Sequence, residues 1–111
     1  MEVTTQQFKH CDLVRASGRI DSYTAPQLTE AFSAITAARR YKIIFDMADL
    51  SYMSSAGMRV LMSVQKTCKR YNRGEIVLCN VPERIWDALE LAGFTPLFKI
   101  FNETTIAVGY F

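Results

Sequence analysis

Two adjacent serines, Ser54 and Ser55, are the side chains whose position in this sequence best suits chemistry. They follow an apolar segment that begins at Lys42 and precede Gly57 and an amphipathic segment that ends before Gly74. A hydroxyl at the start of a helix faces unpaired backbone N–H groups and the positive end of the helix dipole, and both favour an added phosphate. The pattern predicts a phosphorylation switch at this junction.

Two carboxylates, Asp46 and Asp49, suggest a different chemistry, because both lie near the end of the same apolar strand. Such a pair could belong to a Mg²⁺ site or to a phosphoaspartate receiver. Either site needs further acidic residues after the first strand and a lysine in a later loop, which the sequence lacks. A small α/β enzyme or nucleotide-binding protein is therefore the less favoured class.

Other chemical signals are weak. His10 has no cysteine, histidine or acidic cluster around it, so we expect it in a surface turn. The sequence has no Gly-rich phosphate loop, nucleophile elbow or zinc spacing. We expect a protein that is not an enzyme, with no catalytic residue, cofactor or metal of its own.

Composition sets the scale of the molecule. A chain of 111 residues with 50% hydrophobic content predicts one domain, residues 1–111, with one core. The net charge of +2 is too small to favour nucleic acid or an acidic membrane surface as a partner. Four basic residues cluster in the second helix but lack interleaved aromatics, which favours a solvated helix face; they are Lys66, Lys69, Arg70 and Arg73.

The cysteines point to a compartment. Cys11, Cys68 and Cys79 are odd in number and widely spaced, as is typical of a protein in a reducing cytoplasm. We see no basic and apolar leader and no apolar run near the ~20 residues that span a bilayer. The sequence therefore predicts a cytoplasmic protein.

Hydrophobic periodicity predicts alternating strands and helices. Strands are expected at residues 1–8, 13–20, 42–47, 75–79 and 97–101, and helices at residues 26–40, from the serines to residue 73, at 82–93 and at 103–108. The second helix should bury Val60, Leu61, Val64, Cys68 and Tyr71. We also expect Trp86 in the core, Asn102 as the cap of the last helix, and Ile106 and Val108 against the sheet.

The connections predict the topology. The first two strands are close enough for a hairpin, whereas helical crossovers between the later strands imply parallel pairing. The prediction is an α/β domain with a mixed sheet of four to five strands and four helices that mainly cover one face.

Three segments carry a family resemblance. The segment DLSYMSSAGM, residues 49–58, resembles the signature of anti-sigma factor antagonists, which are stand-alone STAS-domain proteins. The segment GRID, residues 18–21, with Thr24 and Ala25 is similar to a second motif of that family, and AGFTPLFKI, residues 92–100, to its closing motif. The matches occur in the family's order.

The resemblance implies a partner-switching cycle. Ser55 occupies the position that is phosphorylated by a serine kinase of the GHKL type, which is often also the anti-sigma factor. The unphosphorylated antagonist binds that kinase and frees the sigma factor, and a PP2C-type phosphatase resets the cycle. The residues expected to contact the partner are Asp21, Ser54, Ser55, Ala56, Gly57, Met58, Arg59 and Met62.

One position departs from the family's pattern. Ser54 stands where the motif usually has aspartate, so Ser54 is a competing phosphate acceptor. Both residues also have a purely local interpretation. Ser55 could serve only as the N-cap of the helix, and Asp21 only as a turn residue. The departure also leaves open a STAS scaffold or adaptor that works without phosphorylation in a signalling or transport assembly.

Overall fold

The computed structural model describes residues 1–70 and 73–111, which form one five-stranded sheet with four α-helices. The strands are β1 (Glu2–Gln7), β2 (Asp12–Ile20), β3 (Lys42–Met53), β4 (Glu75–Cys79) and β5 (Ile100–Phe101), and the helices are α1 (Ala25–Ala37), α2 (Ser55–Arg70), α3 (Glu83–Leu91) and α4 (Thr104–Tyr110). The strand order is β1-β2-β3-β4-β5. β1 and β2 pair antiparallel and the other pairs are parallel, which confirms the predicted hairpin and mixed sheet.

The helices divide unequally between the two faces of the sheet. Buried residues of α1, α2 and α3 share one core cluster with β2, β3 and β4, and Phe32 of α1 meets Phe45 of β3 edge-on at 5.5 Å. On the other face α4 places Ala107 against Ile44 and Val77. The prediction that helices mainly cover one face is confirmed.

The α2 helix shows the predicted amphipathic pattern. Val60, Leu61, Val64 and Cys68 are buried, whereas the predicted Tyr71 lies outside the described residues. Gln65 is also buried, and its side chain joins the Ile76 amide to the Leu97 carbonyl. Periodicity alone did not indicate this polar bridge between α2, β4 and the segment before β5.

The predicted end of β3 at Met47 is wrong. β3 continues to Met53, which pairs with Ile20 of β2. In the added part only Leu50 and Met53 are buried, so the polar residues between them resemble a loop in the sequence. The connection from β3 to α2 is consequently a single residue, Ser54.

The segment from α3 to β5 differs from the prediction in two places. The segment Thr95–Leu97 forms a 3₁₀ turn that contains Pro96, so β5 is shorter than predicted. Trp86 is 36% exposed, and its indole N–H donates to Glu90 on the surface of α3, so its predicted core position is wrong. The buried side chains of α3 are Ile85 and Leu89.

The last helix also needs correction. Glu103 occupies the N-cap position of α4, where Asn102 was predicted. Ile106 is 52% exposed, whereas Ala107 is buried and Val108 packs partly against the sheet. Ala107 is therefore the residue of α4 that faces the sheet, in place of the predicted Ile106.

Candidate functional site

The junction between β3 and α2 is held by the backbone and hydroxyl of Ser54. Its N–H donates to the Ile20 carbonyl at 2.8 Å, which ties the junction to the end of β2. Its hydroxyl accepts the Ala56 N–H at 3.2 Å, and its carbonyl accepts the Met58 N–H at 3.2 Å. Ser54 is therefore the N-cap of α2, an interaction that stabilises a helix by about 1 kcal/mol.

The cap explains how serine replaces aspartate at this position. Serine and aspartate rank nearly equally as N-cap residues, since each offers a short side-chain oxygen to the first turn. Ser54 keeps the local structure that an aspartate would give. Its oxygen is already engaged with the Ala56 amide.

Ser55 is the first helical residue and its side chain is exposed. The local alternative that Ser55 caps the helix does not hold, because Ser54 has that position. Within residues 1–70 and 73–111 the Ser55 hydroxyl has no hydrogen-bond partner. A modifying group at Ser55 would displace no internal contact.

Gly57 brings α2 close to the ends of β2 and β3. A Cβ atom at this position would lie 2.6 Å from the Met53 Cγ and 2.7 Å from the Ile20 Cγ2, so only glycine fits without a shift of these side chains. Gly57 and Met58 are buried. These two predicted contact residues therefore lie beneath the surface and support the junction from the side of the core.

Two further predicted contact residues lie partly below the surface. Ala56 and Met62 are half-buried and pack against the core cluster of α1, α2 and α3. Arg59 is exposed one turn after Ser55. Of the predicted set on α2, Ser55 and Arg59 face solvent.

The turn between β2 and α1 lies beside the junction. The Asp21 carboxylate accepts the Tyr23 N–H at 2.9 Å and the Thr24 N–H at 3.1 Å, and the Thr24 hydroxyl donates to the Arg19 carbonyl at 2.9 Å. The hydrogen bond from the Thr24 amide is the main cause that lowers the pKa of Asp21. Asp21 is a turn-forming residue, as its local alternative predicted, and Ile20 links this turn to Ser54.

Two tyrosines on this end of the sheet were missed by sequence reasoning. Tyr23 is 94% exposed, and Tyr52 is exposed beneath the Arg19 guanidinium, which lies 4.3 Å from the ring centroid. The only signal for Tyr23 in the sequence is an aromatic residue inside a polar turn. We call the group Tyr23, Tyr52, Ser55 and Arg59 the junction surface.

Comparison with known proteins places this arrangement in a family. The profile of the STAS domain matches residues 2–107. The chain belongs to the STAS domain family. The resemblance inferred from the three sequence segments is thereby confirmed.

Two curated relatives match nearly the whole STAS domain. BtrV of Bordetella bronchiseptica, whose name assigns it provisionally to anti-sigma factor antagonists, is 28% identical over 111 residues, which cover 100% of this chain and 95% of the relative. The anti-sigma-B factor antagonist of Listeria monocytogenes is 29% identical over 102 residues, which cover 92% of this chain and 88% of the relative.

Solved structures share the STAS fold. An anti-sigma factor antagonist from Mycobacterium paratuberculosis superimposes with a TM-score of 0.88 at 19% identity, over 98% of this chain and 92% of the other. The Bacillus cell fate determinant SpoIIAA in its phosphorylated form has a TM-score of 0.78 at 15% identity, over 98% of both chains. These comparisons establish the architecture described above.

Asp46 of this STAS domain is surrounded by internal donors. It is buried and accepts hydrogen bonds from Arg15 at 2.8 Å, the Ala48 amide at 3.1 Å, Asn80 at 3.1 Å and the Thr104 hydroxyl at 3.4 Å. Burial opposes ionisation, but the hydrogen bonds outweigh it and lower the pKa of Asp46. Asp46 is thus a structural carboxylate.

The rest of the magnesium or receiver hypothesis finds no support. Asp49 is exposed, in contrast to Asp46. Across the described parts of the chain, no group of three or more His, Cys, Asp or Glu side chains could hold a metal ion.

The helices of the described residues are also too short or too polar to cross a membrane.

The cysteines of the STAS domain are buried and free. Burial raises the pKa of the Cys68 thiol to about 11 and also raises the pKa values of the Cys11 and Cys79 thiols. The thiolate is the nucleophilic form, and the raised pKa values disfavour it. They serve as small apolar core residues.

Proposed function

We propose that this STAS domain is an anti-sigma factor antagonist whose binding to an anti-sigma serine kinase is controlled by phosphorylation of Ser55. The observation that carries the proposal is the division of roles at the junction: the Ser54 hydroxyl caps α2, and the Ser55 hydroxyl is exposed. Relatives that match over nearly the whole chain are named anti-sigma factor antagonists, which supports the same role.

The geometry favours Ser55 over Ser54 as the acceptor. A kinase must reach the hydroxyl oxygen, and phosphorylation of Ser54 would remove the cap from the Ala56 amide. Phosphorylation of Ser55 leaves that cap in place. The competing acceptor is therefore disfavoured by the local structure.

A phosphate on Ser55 would change the surface without unfolding the helix. It adds about −1.5 to −2 charges and three acceptor oxygens. Negative charge is favourable in the first turn of a helix, and α2 has no acidic residue there. Arg59, four residues later, is within reach of such a phosphate.

The partner would be sensitive to this change because exposed aromatic side chains of the junction surface lie at the same end of the sheet as Ser55. Tyr23 and Tyr52 supply aromatic contact area, a residue type that is enriched among the residues dominating interface energies. A dianionic group among these contacts would lose its hydration on binding, which is costly unless the partner offers a positive charge. The phosphorylated form would dissociate.

In the proposed cycle the unphosphorylated protein binds the kinase, of GHKL type, and releases the sigma factor. A PP2C-type phosphatase restores the binding form. The protein acts in the cytoplasm as a kinase substrate with no catalytic residue or cofactor of its own. It regulates transcription indirectly, without contacting nucleic acid or a membrane.

The sigma-release step can be tested with purified components. A fluorescent sigma factor is bound to the cognate anti-sigma kinase, and the unphosphorylated STAS domain is titrated in the presence of ADP. We expect displacement of the sigma factor, read as a fall in fluorescence anisotropy, at near-stoichiometric concentrations. Sigma factor that stays bound at saturating STAS domain would contradict the proposed antagonist function.

A further inference from the structure

A cavity lies at the end of β3 opposite to the serines. It has a volume of about 620 Å³ and is lined by the turn between β1 and β2, the starts of β2 and β3, the end of α1, and residue 73. Its charged lining residues are Lys9, Asp12, Arg39, Arg40, Lys42 and Arg73. The volume is in the range of small-molecule sites. We call it the basic cleft.

One cation of the basic cleft is used internally. The Arg40 guanidinium donates to the buried Asp12 carboxylate and to the carbonyls of Phe8 at 2.6 Å and Cys11 at 3.2 Å. Arg40 and Asp12 therefore neutralise each other and hold the turn between β1 and β2 against the end of α1. The floor of the cleft is fixed by these contacts.

The four remaining cations of the basic cleft do not form an ion pair of this kind within the described residues. Neither of the two ion pairs found in residues 1–70 and 73–111 involves Lys9, Arg39, Lys42 or Arg73. Glu75 is the register neighbour of Lys42, and its carboxylate accepts the Tyr110 hydroxyl at 2.8 Å. In the described part of the chain the cleft therefore holds four cations that form no ion pair, which exceeds the net charge of +2 of the whole chain, so the small overall charge hides a strongly positive site.

The backbone at Arg39 gives a second, independent indication. Its φ angle is 62°, in the left-handed region that favours glycine. The Arg39 N–H donates to the Thr36 carbonyl and the Arg40 N–H to the Ile35 carbonyl, which is the glycine-favouring arrangement at the end of a helix. Strained residues concentrate at functional sites. Here an arginine that lines the cleft occupies the strained position.

We propose that the basic cleft binds a small polyanion that carries two or more neighbouring phosphate groups. Arginine forks bind phosphate oxygens in pairs, and lysine supplies point charges. One phosphate carries at most about two negative charges, so four cations match two phosphates better than one. The site lies at the other end of the sheet from Ser55 and does not depend on the proposed switch.

Calorimetric titration with sodium pyrophosphate, at constant ionic strength, tests this proposal. We expect saturable binding with one site, and at least about tenfold weaker binding when Arg39→Gln, Lys42→Gln and Arg73→Gln are combined. Arg84→Gln removes an exposed arginine of α3 and is the matched control, with affinity unchanged. ADP, which carries the same diphosphate, should bind at least as tightly.

A single variant separates binding from folding. Arg39→Gly relieves the backbone strain and should raise Tm by about 3 °C while it weakens pyrophosphate binding. The proposal is overturned if the wild-type protein gives no saturable binding, if the triple variant binds pyrophosphate equally well, if Arg39→Gly binds it unchanged, or if ADP binds and pyrophosphate does not.

Discussion

Replacing Ser55 with aspartate is expected to weaken binding to the anti-sigma kinase by about tenfold, and full phosphorylation by about 100-fold or more. Aspartate carries one negative charge, whereas the phosphate carries up to about two and is larger, so its effect should be greater. Both groups would place charge among the aromatic contacts of the junction surface. Calorimetric titration of the kinase with each form measures the effect.

The controls separate charge from shape and from folding. Ser55→Asn has nearly the size of aspartate without its charge, and Ser55→Ala removes the hydroxyl, so both should keep the affinity within about threefold. Aspartate in the first turn of α2 is favourable to the helix, so unfolding cannot account for lost binding. Equal affinity of the wild-type protein, its phosphorylated form and the three variants would instead support the scaffold or adaptor alternative.

Replacing Asp46 with alanine should have the largest effect on stability, a loss of about 3 kcal/mol in the free energy of unfolding. The variant leaves the Ala48 amide, Asn80 and Thr104 without their common acceptor and removes the partner of Arg15. Urea denaturation measures the change. Asp49→Ala is the matched control and should stay within about 0.5 kcal/mol of the wild type, because Asp49 is exposed.

The Asp46 effect should also depend on pH. The pKa of Asp46 is lowered in the folded state, so its ionised form stabilises the fold fully above the unfolded pKa of about 3.9. This contribution is lost as the pH falls through the lower, folded pKa. The difference between wild type and Asp46→Ala should therefore shrink below pH 4. A difference that stays constant down to pH 2 would refute this role of the carboxylate.

The elements with strong periodicity were predictable from sequence. Val60, Leu61 and Val64 mark the buried face of α2, and the apolar run Ile43, Ile44 and Phe45 marks a strand covered on both faces. The second half of β3 was not predictable, because its polar residues do not indicate a strand. Its strand conformation depends on pairing with β2. Pairing of this kind depends on contacts distant in sequence.

The candidate site was predictable as a location but not in its division of roles. The serine pair and the nearby Asp21 turn follow from local patterns. Which hydroxyl caps the helix depends on where β3 ends, and the extension to Met53 makes Ser54 the cap. The exposure of Tyr23 and the burial of Gly57 depend on how α1 and α2 pack, which one-dimensional patterns do not specify.

Mapping the phosphate is the most direct test of the central claim. The wild-type protein, Ser54→Ala and Ser55→Ala are each incubated with the cognate kinase and ATP, and the modified residue is identified by mass spectrometry. We predict one phosphate on Ser55 in the wild type and in Ser54→Ala, and none in Ser55→Ala. Phosphate on Ser54, or no phosphate on any of the three proteins, would contradict the account.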